Sequence, residues 1–388
     1  MKHLSGSFAN IPGFSNLGKH VGIKPDGKDF AVLLSDKACS AAAVYTSNQI
    51  QGAPLSVTKQ HLMNNTAQAV VVNSGIANVA TGEQGIKNAA ETAALVAAEL
   101  GIKEEDVLVA STGVIGPQLP MDKISAGIQG TKGELSADGD FAEAILTTDT
   151  RKKEICITAH GFTIAGCAKG SGMIAPDMAT MLSFIATDVK IAGNDLSEIL
   201  KSCVASSFNM MSVDMDNSTS DMVVVMANGT VDADIEQFGE ALAYVCRELA
   251  KMVARDGEGA TKLIISETRG AYSLGDARKV AKSIVNSNLV KTAVYGNDPN
   301  WGRLMMALGN SNAERIEQDK IEIWINETLI VQNGVAVPDY NAEKLSATLS
   351  SNEEIAIVIN LNQGTYSAEA YGCDMSEDYI KINAAYTT

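Results

Sequence analysis

The stretch Lys169 to Leu182, KGSGMIAPDMATML, sets the reading of the whole chain. Gly170, Gly172 and Pro176 interrupt any regular element, and the apolar run Met181 to Ala186 that follows reads as a buried strand. Thr180 therefore stands where an irregular loop meets a rigid strand. A strand that presents one hydroxyl after a strained loop is the arrangement an N-terminal nucleophile requires. Ala179 is small enough to let the Thr180 hydroxyl reach the carbonyl before it. Were that bond cut, the new α-amine of Thr180 would lie beside its own Oγ. Such an amine has an unperturbed pKa of roughly 8, suited to a general base near neutrality. Nucleophile and base would then belong to one residue, with no histidine required. The plainer alternative is a Gly/Pro loop feeding a core strand, with Thr180 present for its β propensity. On these residues alone the plainer alternative carries more weight.

Outward from this segment, short apolar runs alternate with helical patterns. Gln68 to Val72 (QAVVV) reads as a strand ending in a turn at Asn73-Ser74-Gly75. Ile86 to Leu100 carries alanines at helical spacing, and Gly101 sits where a C-terminal cap belongs. Val107 to Ala110 reads as another strand, running into a turn at Ser111-Thr112-Gly113. In Glu236 to Arg255, the residues Phe238, Leu242, Val245, Leu249 and Met252 make one apolar stripe. Asp276 is placed to cap a further helix through Val285. The C-terminal third is richer in strands. Ile321 to Ile325 and Thr328 to Val331 predict one hairpin, and Ile355 to Leu361 with Thr365 to Ala370 another. No tandem repeat or low-complexity linker divides the chain. One compact α/β or α+β body, or two closely packed lobes, is expected.

Composition narrows the partners. The 388 residues suffice for two or three ordinary domains. Lys plus Arg number 30 against 46 Asp plus Glu, a net charge of −16, which is the wrong sign for nucleic acid or an anionic membrane surface. No apolar run reaches a membrane-spanning length of roughly 18 residues, and the N-terminus lacks the apolar core of a signal peptide. The six cysteines are scattered, with no CxxC pair, as for buried thiols in a reducing compartment. A cytoplasmic protein acting on a small polar substrate is the expectation. Among four histidines there is no HExxH or paired Cys/His spacing, so neither a metal nor another cofactor is expected. No GxGxxG follows a strand and no GxxxxGK occurs. Asp256-Gly257-Glu258-Gly259 looks superficially like a phosphate loop, but its carboxylates would repel phosphate. Ser56 to Lys59 matches the SxxK of serine acyl enzymes without its companion motifs.

The Lys169 to Leu182 segment closely resembles the autocleavage motif of the ornithine acetyltransferases, the glutamate N-acetyltransferase family of arginine biosynthesis. The resemblance spans essentially the whole chain and includes STGVIG (Ser111 to Gly116), TTDT (Thr147 to Thr150), DGEGATK (Asp256 to Lys262), GNDPNWGR (Gly296 to Arg303) and INAAYTT (Ile382 to Thr388), in the family's order. It implies a layered α/β sandwich of the DmpA-type N-terminal-nucleophile fold. It further implies cleavage between Ala179 and Thr180 into an α chain, 1–179, and a β chain, 180–388, associated as α2β2. The implied reaction moves the acetyl group of N-acetylornithine to glutamate through an acetyl-Thr180 intermediate, with no cofactor. Thr112 and Gly113 map onto the family's oxyanion hole. Thr147, Lys169, Thr180, Glu258, Asn383 and Thr388 map onto its substrate contacts. Asp298 and Arg303 are expected to be structural, with Trp301 packing. Ile76, Val79, Asp177 and the segment VDMDNSTSD, Val213 to Asp221, depart from the commonest family pattern. Asp177 and the ANVATG segment resemble the branch found in clavulanic-acid-type gene clusters, which points to acetylornithine as the sole donor. The alternatives are a bifunctional enzyme that also uses acetyl-CoA, or an N-terminal-nucleophile amidohydrolase or aminopeptidase.

Overall fold

The computed structural model describes residues 1–6, 8–175 and 181–385. Among the described residues, a nine-stranded sheet runs in the order Lys2–His3, Lys153–Ala159, Phe162–Lys169, Leu182–Val189, Met222–Val231, Phe30–Tyr45, Thr66–Ile76, Val107–Val114, and Phe14–Lys19 adds against Phe30–Tyr45. The sheet is mixed. Leu182–Val189 is parallel to Met222–Val231, Thr66–Ile76 is parallel to Val107–Val114, and the remaining pairs are antiparallel. Phe162–Lys169 and Leu182–Val189 are buried at every position. Burial on both faces is why the run Met181 to Ala186 predicted a buried strand.

Helix Ile235–Arg255 separates this sheet from a second one. Asp234 caps it by accepting from the N–H groups of Glu236 and Gln237, both at 3.0 Å. Phe238, Leu242, Val245 and Leu249 are fully buried as the stripe predicts, whereas Met252 is only partly covered. Each such burial contributes about 1.5–3 kcal/mol. The same core takes in Ile157, Ile164 and Ile185 of the first sheet and Tyr371 and Cys373 of the second. The second sheet has seven strands, ordered Val335–Ala336, Thr328–Gln332, Glu322–Ile325, Glu354–Asn360, Leu263–Ala271, Tyr366–Cys373, Met211–Ser212. Along Leu263–Ala271 the side chains alternate: Leu263 and Ile265 face helix Ile235–Arg255, while Ile264 joins Val280 and Ile284 of helix Leu274–Asn286 on the far side. Sheet, helices, sheet, helices is the layered α/β sandwich expected. No described helix is long and apolar enough to cross a membrane. All six cysteines are buried and unbridged, again as expected.

Four local readings change. Thr66–Ile76 and Val107–Val114 both run on through their glycine tripeptides, so Asn73-Ser74-Gly75 and Ser111-Thr112-Gly113 are not turns but paired strand ends. The glycines serve close approach instead. Gly113 has φ +126°, and a Cβ there would stand 2.3 Å from the Gly75 backbone. Asp276 is not the cap of helix Leu274–Asn286; Ser273 accepts its N–H at 3.1 Å, and the Asp276 carboxylate accepts from the Glu314 N–H instead. The predicted hairpin across Asn326 forms, with Asn326 left-handed at φ +50°. The later one does not. Leu263–Ala271 inserts between Glu354–Asn360 and Tyr366–Cys373, parallel to the first and antiparallel to the second. The short connector between those strands is long enough to cover the roughly 10 Å of two strand spacings, so adjacency in sequence did not settle pairing. Finally, the DPNWGR stretch opens a helix, Trp301–Gly309, capped by Asn300. Arg303 Nη1 donates to the Leu289 carbonyl and to Thr292 Oγ1, and Trp301 packs against the second core, which is the structural role expected.

Candidate active site

Lys169 and Leu182, the two ends of the deciding segment, are cross-strand partners in the first sheet. Both strands lie inside the sheet, and the segment that starts at Gly170 leaves it from their paired ends. The first part of that loop is held from every side. Gly170 N–H donates to Asp149 Oδ1 at 2.6 Å, and the Ser171 carbonyl accepts from Glu258 N–H at 2.9 Å. Met173 and Ile174 donate consecutive N–H groups to the two oxygens of Asp214, each at 2.7 Å, and the Ile174 carbonyl accepts from Val213 at 2.7 Å. Met173 adopts φ +57°, a left-handed conformation uncommon outside glycine. At Gly172 a Cβ would lie 2.4 Å from the Glu258 carboxylate, so a larger residue would displace that side chain from its place in the cavity wall. Burial pushes the Asp214 carboxyl pKa up, against the pull of the N–H groups it accepts. The expected scissile residues Ala179 and Thr180 lie outside the described residues, as does Thr388. The next residue after Thr180, Met181, lines the cavity described below.

That cavity, of about 450 Å³, gathers Thr112, Gly113, Thr147, Lys169, Glu258 and Asn383. Six of the residues singled out in the sequence thus converge on one space. Thr112 and Gly113 arrive at the end of Val107–Val114, and Lys169 at the end of Phe162–Lys169. Glu258 follows helix Ile235–Arg255, and Asn383 is carried by helix Glu377–Ala385. Lys169 Nζ donates to Thr112 Oγ1 at 3.1 Å. The Thr112 hydroxyl, having accepted that bond, keeps its own proton to give to another acceptor. Beneath it, Ser111 Oγ donates to Asn73 Oδ1 at 2.5 Å, tying the two strand ends together. Glu258 Oε2 accepts from Asn383 Nδ2 at 2.8 Å. Lys169 and Glu258 are each only 8% exposed, where isolated charges of these types are normally solvated.

Residue types around the cavity set its electrostatics. Lys169 is joined by four carboxylates, Asp214, Asp216, Asp221 and Glu258. A ligand carrying one carboxylate and an ammonium group complements that wall. Burial drives the Lys169 pKa down, and the charge of Asp149 is the main force opposing this. Behind Lys169, Lys153 is fully buried between two carboxylates, with Nζ 2.5 Å from Asp149 Oδ1 and 2.6 Å from Asp256 Oδ2. The sequence reading gave no role to Asp149, Lys153, Asp214 or Tyr379, whose hydroxyl donates to Asp214 at 3.3 Å, although Asp214 lies in the Val213 to Asp221 segment. Asp149 was inside a quoted motif, TTDT, but nothing in its spacing said what it would hold. Among the described residues no histidine lines the cavity, and no group of three or more His, Cys, Asp or Glu could hold a metal ion.

Comparison with known proteins agrees with the expectation from the motifs. The ArgJ family model matches residues 16–388. The arginine biosynthesis bifunctional protein ArgJ of Staphylococcus aureus (strain COL) is 47% identical over 403 residues, covering 100% of this chain and 96% of its own. The protein of the same name from Bacillus subtilis (strain 168) is 45% identical over 398 residues, covering 99% and 97% respectively. A crystal structure of arginine biosynthesis bifunctional protein ArgJ from Bacillus halodurans is 41% identical with a TM-score of 0.52, covering 53% of this chain and 100% of the solved one. The chain belongs to the ArgJ family, the ornithine acetyltransferases, a family of acyltransferases.

Proposed function

We propose that this protein cuts itself between Ala179 and Thr180 and then carries the acetyl group of N2-acetylornithine to glutamate on the Thr180 hydroxyl. The observation that carries the reading is the convergence of Thr112, Gly113, Thr147, Lys169, Glu258 and Asn383 on a cavity whose wall continues into Met181. In the first step Thr180 Oγ attacks the Ala179 carbonyl, the peptide nitrogen leaves as the new α-amine, and water hydrolyses the resulting ester. In the second, that amine takes the Oγ proton while Oγ adds to the acetyl carbonyl. The Thr112 hydroxyl and the Gly113 N–H face the developing oxyanion, where each such donor contributes about 2.7–4 kcal/mol. Ornithine leaves with a proton returned by the α-ammonium. The neutral amine of glutamate then attacks the acetyl ester, releasing N-acetylglutamate and restoring Thr180.

Lys169 meets the substrate carboxylate, Glu258 and the acidic wall meet its ammonium group, and Thr147, Asn383 and Thr388 supply neutral hydrogen bonds. In this scheme the α chain, 1–179, brings the oxyanion donors, Thr147 and Lys169. The β chain, 180–388, brings the nucleophile, Glu258, Asn383 and Thr388. The cut falls between two hydrogen-bonded neighbouring strands, so the fragments stay joined, and α2β2 is the assembly we assign in the cytoplasm. The B. halodurans chain supports the division, since it aligns along its full length yet covers only about half of this one.

A second reading has its own support. The relatives that match from end to end are named bifunctional, which favours acetyl-CoA as an additional donor over the narrower expectation drawn from Asp177. Intact mass of the purified protein should show two chains, of 179 and 388 − 179 = 209 residues. Thr180→Ala should abolish both cleavage and turnover. A chain that stays whole on incubation overturns the scheme. Acetate released from N2-acetylornithine without any need for glutamate would select the amidohydrolase reading instead, and acetyl-CoA offered with glutamate decides the second donor.

A further inference from the structure

Asp149 has no part in the acetyl-transfer scheme, yet the segments that build the cavity meet at its carboxylate. Its side chain is fully buried. Oδ1 accepts from Gly170 N–H at 2.6 Å and from Lys153 Nζ at 2.5 Å, while Oδ2 accepts from Thr147 N–H at 3.0 Å. One side chain therefore joins the backbone that delivers Thr147 to the backbone that delivers Lys169. Lys153 passes the connection on to Asp256, which also accepts from Thr150 N–H at 3.0 Å and stands two residues before Glu258. We propose that Asp149 is the positioning residue of this cavity, setting Thr147 and Lys169 in register and keeping the Lys169 ammonium charged for a substrate carboxylate. The inference rests on the reading of the cavity as the acetylornithine site with Lys169 as its carboxylate anchor.

The electrostatics run the same way. Lys169 has left water, and burial favours its neutral form; Asp149 is the foremost charge holding the proton on. Asp221 and Glu258 also face it and help, whereas Lys153 works against it, as does Lys24, whose own pKa Lys169 depresses in return. The reciprocal effect is visible at Asp149. Burial would raise its carboxyl, but Lys169 and Lys153 bring it down to about 2. A Lys169 that has lost its proton no longer pairs with a carboxylate. The alkaline limb of kcat/KM for N2-acetylornithine therefore carries the titration of Lys169 together with that of the substrate's own ammonium group, and only the first of these responds to substitutions around Asp149.

The test is a set of pH profiles on the full, self-processed protein. Asp149→Asn keeps the shape and removes the charge. Its alkaline limb should move to lower pH by about one unit, mainly through KM. Asp149→Glu, which restores the charge, should return the limb to its wild-type position while KM stays raised by the altered reach. Lys24→Gln, which removes a like charge, should move the limb upward. An Asp149→Asn limb superimposable on wild type, or a Lys24→Gln limb shifted the same way as Asp149→Asn, overturns the proposal. Should Asp149→Asn not accumulate as folded protein, Asp149→Glu decides alone, since a displaced limb there contradicts a role based on charge. Wild-type protein without acetyl transfer at any pH would sink the functional reading instead.

Discussion

Lys153 and Lys169 sit on neighbouring antiparallel strands, both withdrawn from water, and are answered by the fold in different ways. Lys153 is completely enclosed and held between Asp149 and Asp256 at 2.5 and 2.6 Å. Lys169 lies at the cavity wall, where it donates to the neutral Thr112 hydroxyl and its principal opposing charge, Asp149, is already committed to Lys153 and two backbone N–H groups. The first ammonium is satisfied by the protein. The second is buried at the cavity wall with a neutral hydroxyl as partner, where the proposed substrate carboxylate would meet it. The lesson is that burial alone does not separate a structural lysine from a binding one; how completely the fold itself answers the charge does.

That contrast can be broken in four ways, taken from the largest expected effect to the smallest. Lys153→Met strands two carboxylates in the interior and should cost about 3–5 kcal/mol of stability, read from urea denaturation. Survival with an unchanged midpoint would show that Lys153 is dispensable. Thr112→Val removes the acceptor of the Lys169 bond together with one proposed oxyanion donor. It should lower kcat by an amount corresponding to about 2.7–4 kcal/mol, with little change in melting temperature. Lys169→Met should do the converse of Lys153→Met. Stability should hold while KM for N2-acetylornithine rises by the equivalent of about 1.5–3 kcal/mol, the usual worth of a hydrogen bond to a charged group. A fall in stability as large as that of Lys153→Met would erase the distinction.

The smallest effect concerns acid. The Asp149 carboxyl titrates near 2 in the folded protein and near 3.8 when unfolded, so its folded pKa is depressed. Its contribution is present above the unfolded value and is lost as pH falls from about 4 to about 2, amounting to about 2 kcal/mol. Denaturation midpoints measured across that window should fall less steeply for Asp149→Asn than for wild type. Parallel slopes would remove Asp149 from the charge network.

The elements whose pattern is local were legible in the sequence. The stripe through Phe238 and Leu249, the Gly101 cap, with φ +75° and its N–H on the Ala97 carbonyl, and the Asn326 hairpin all form as read, because periodicity and turn chemistry act over a few residues. Partnerships between distant strands were not legible. The two glycine tripeptides carried turn composition but were needed for close approach between strands, and Leu263–Ala271 separated two strands that are near neighbours in sequence. At the site, residues inside specific motifs could be named, whereas Tyr379 carried no signal and Asp214, inside the Val213 to Asp221 segment, carried none about its role, since each acts only through the segment folded against it.

The sequence by itself determined the family, through six motifs in fixed order, and pointed to a loop–strand junction at Thr180 as the seat of the chemistry. It also determined what the protein avoids, since a net charge of −16 discourages polyanions whatever the fold. Only the tertiary structure decided which charges are spent and which are available. Asp149, Lys153 and Lys169 are ordinary residues in a list. Their roles come from distances and lost hydration, and Coulomb interactions in a desolvated interior depend on position in space and not on position along the chain.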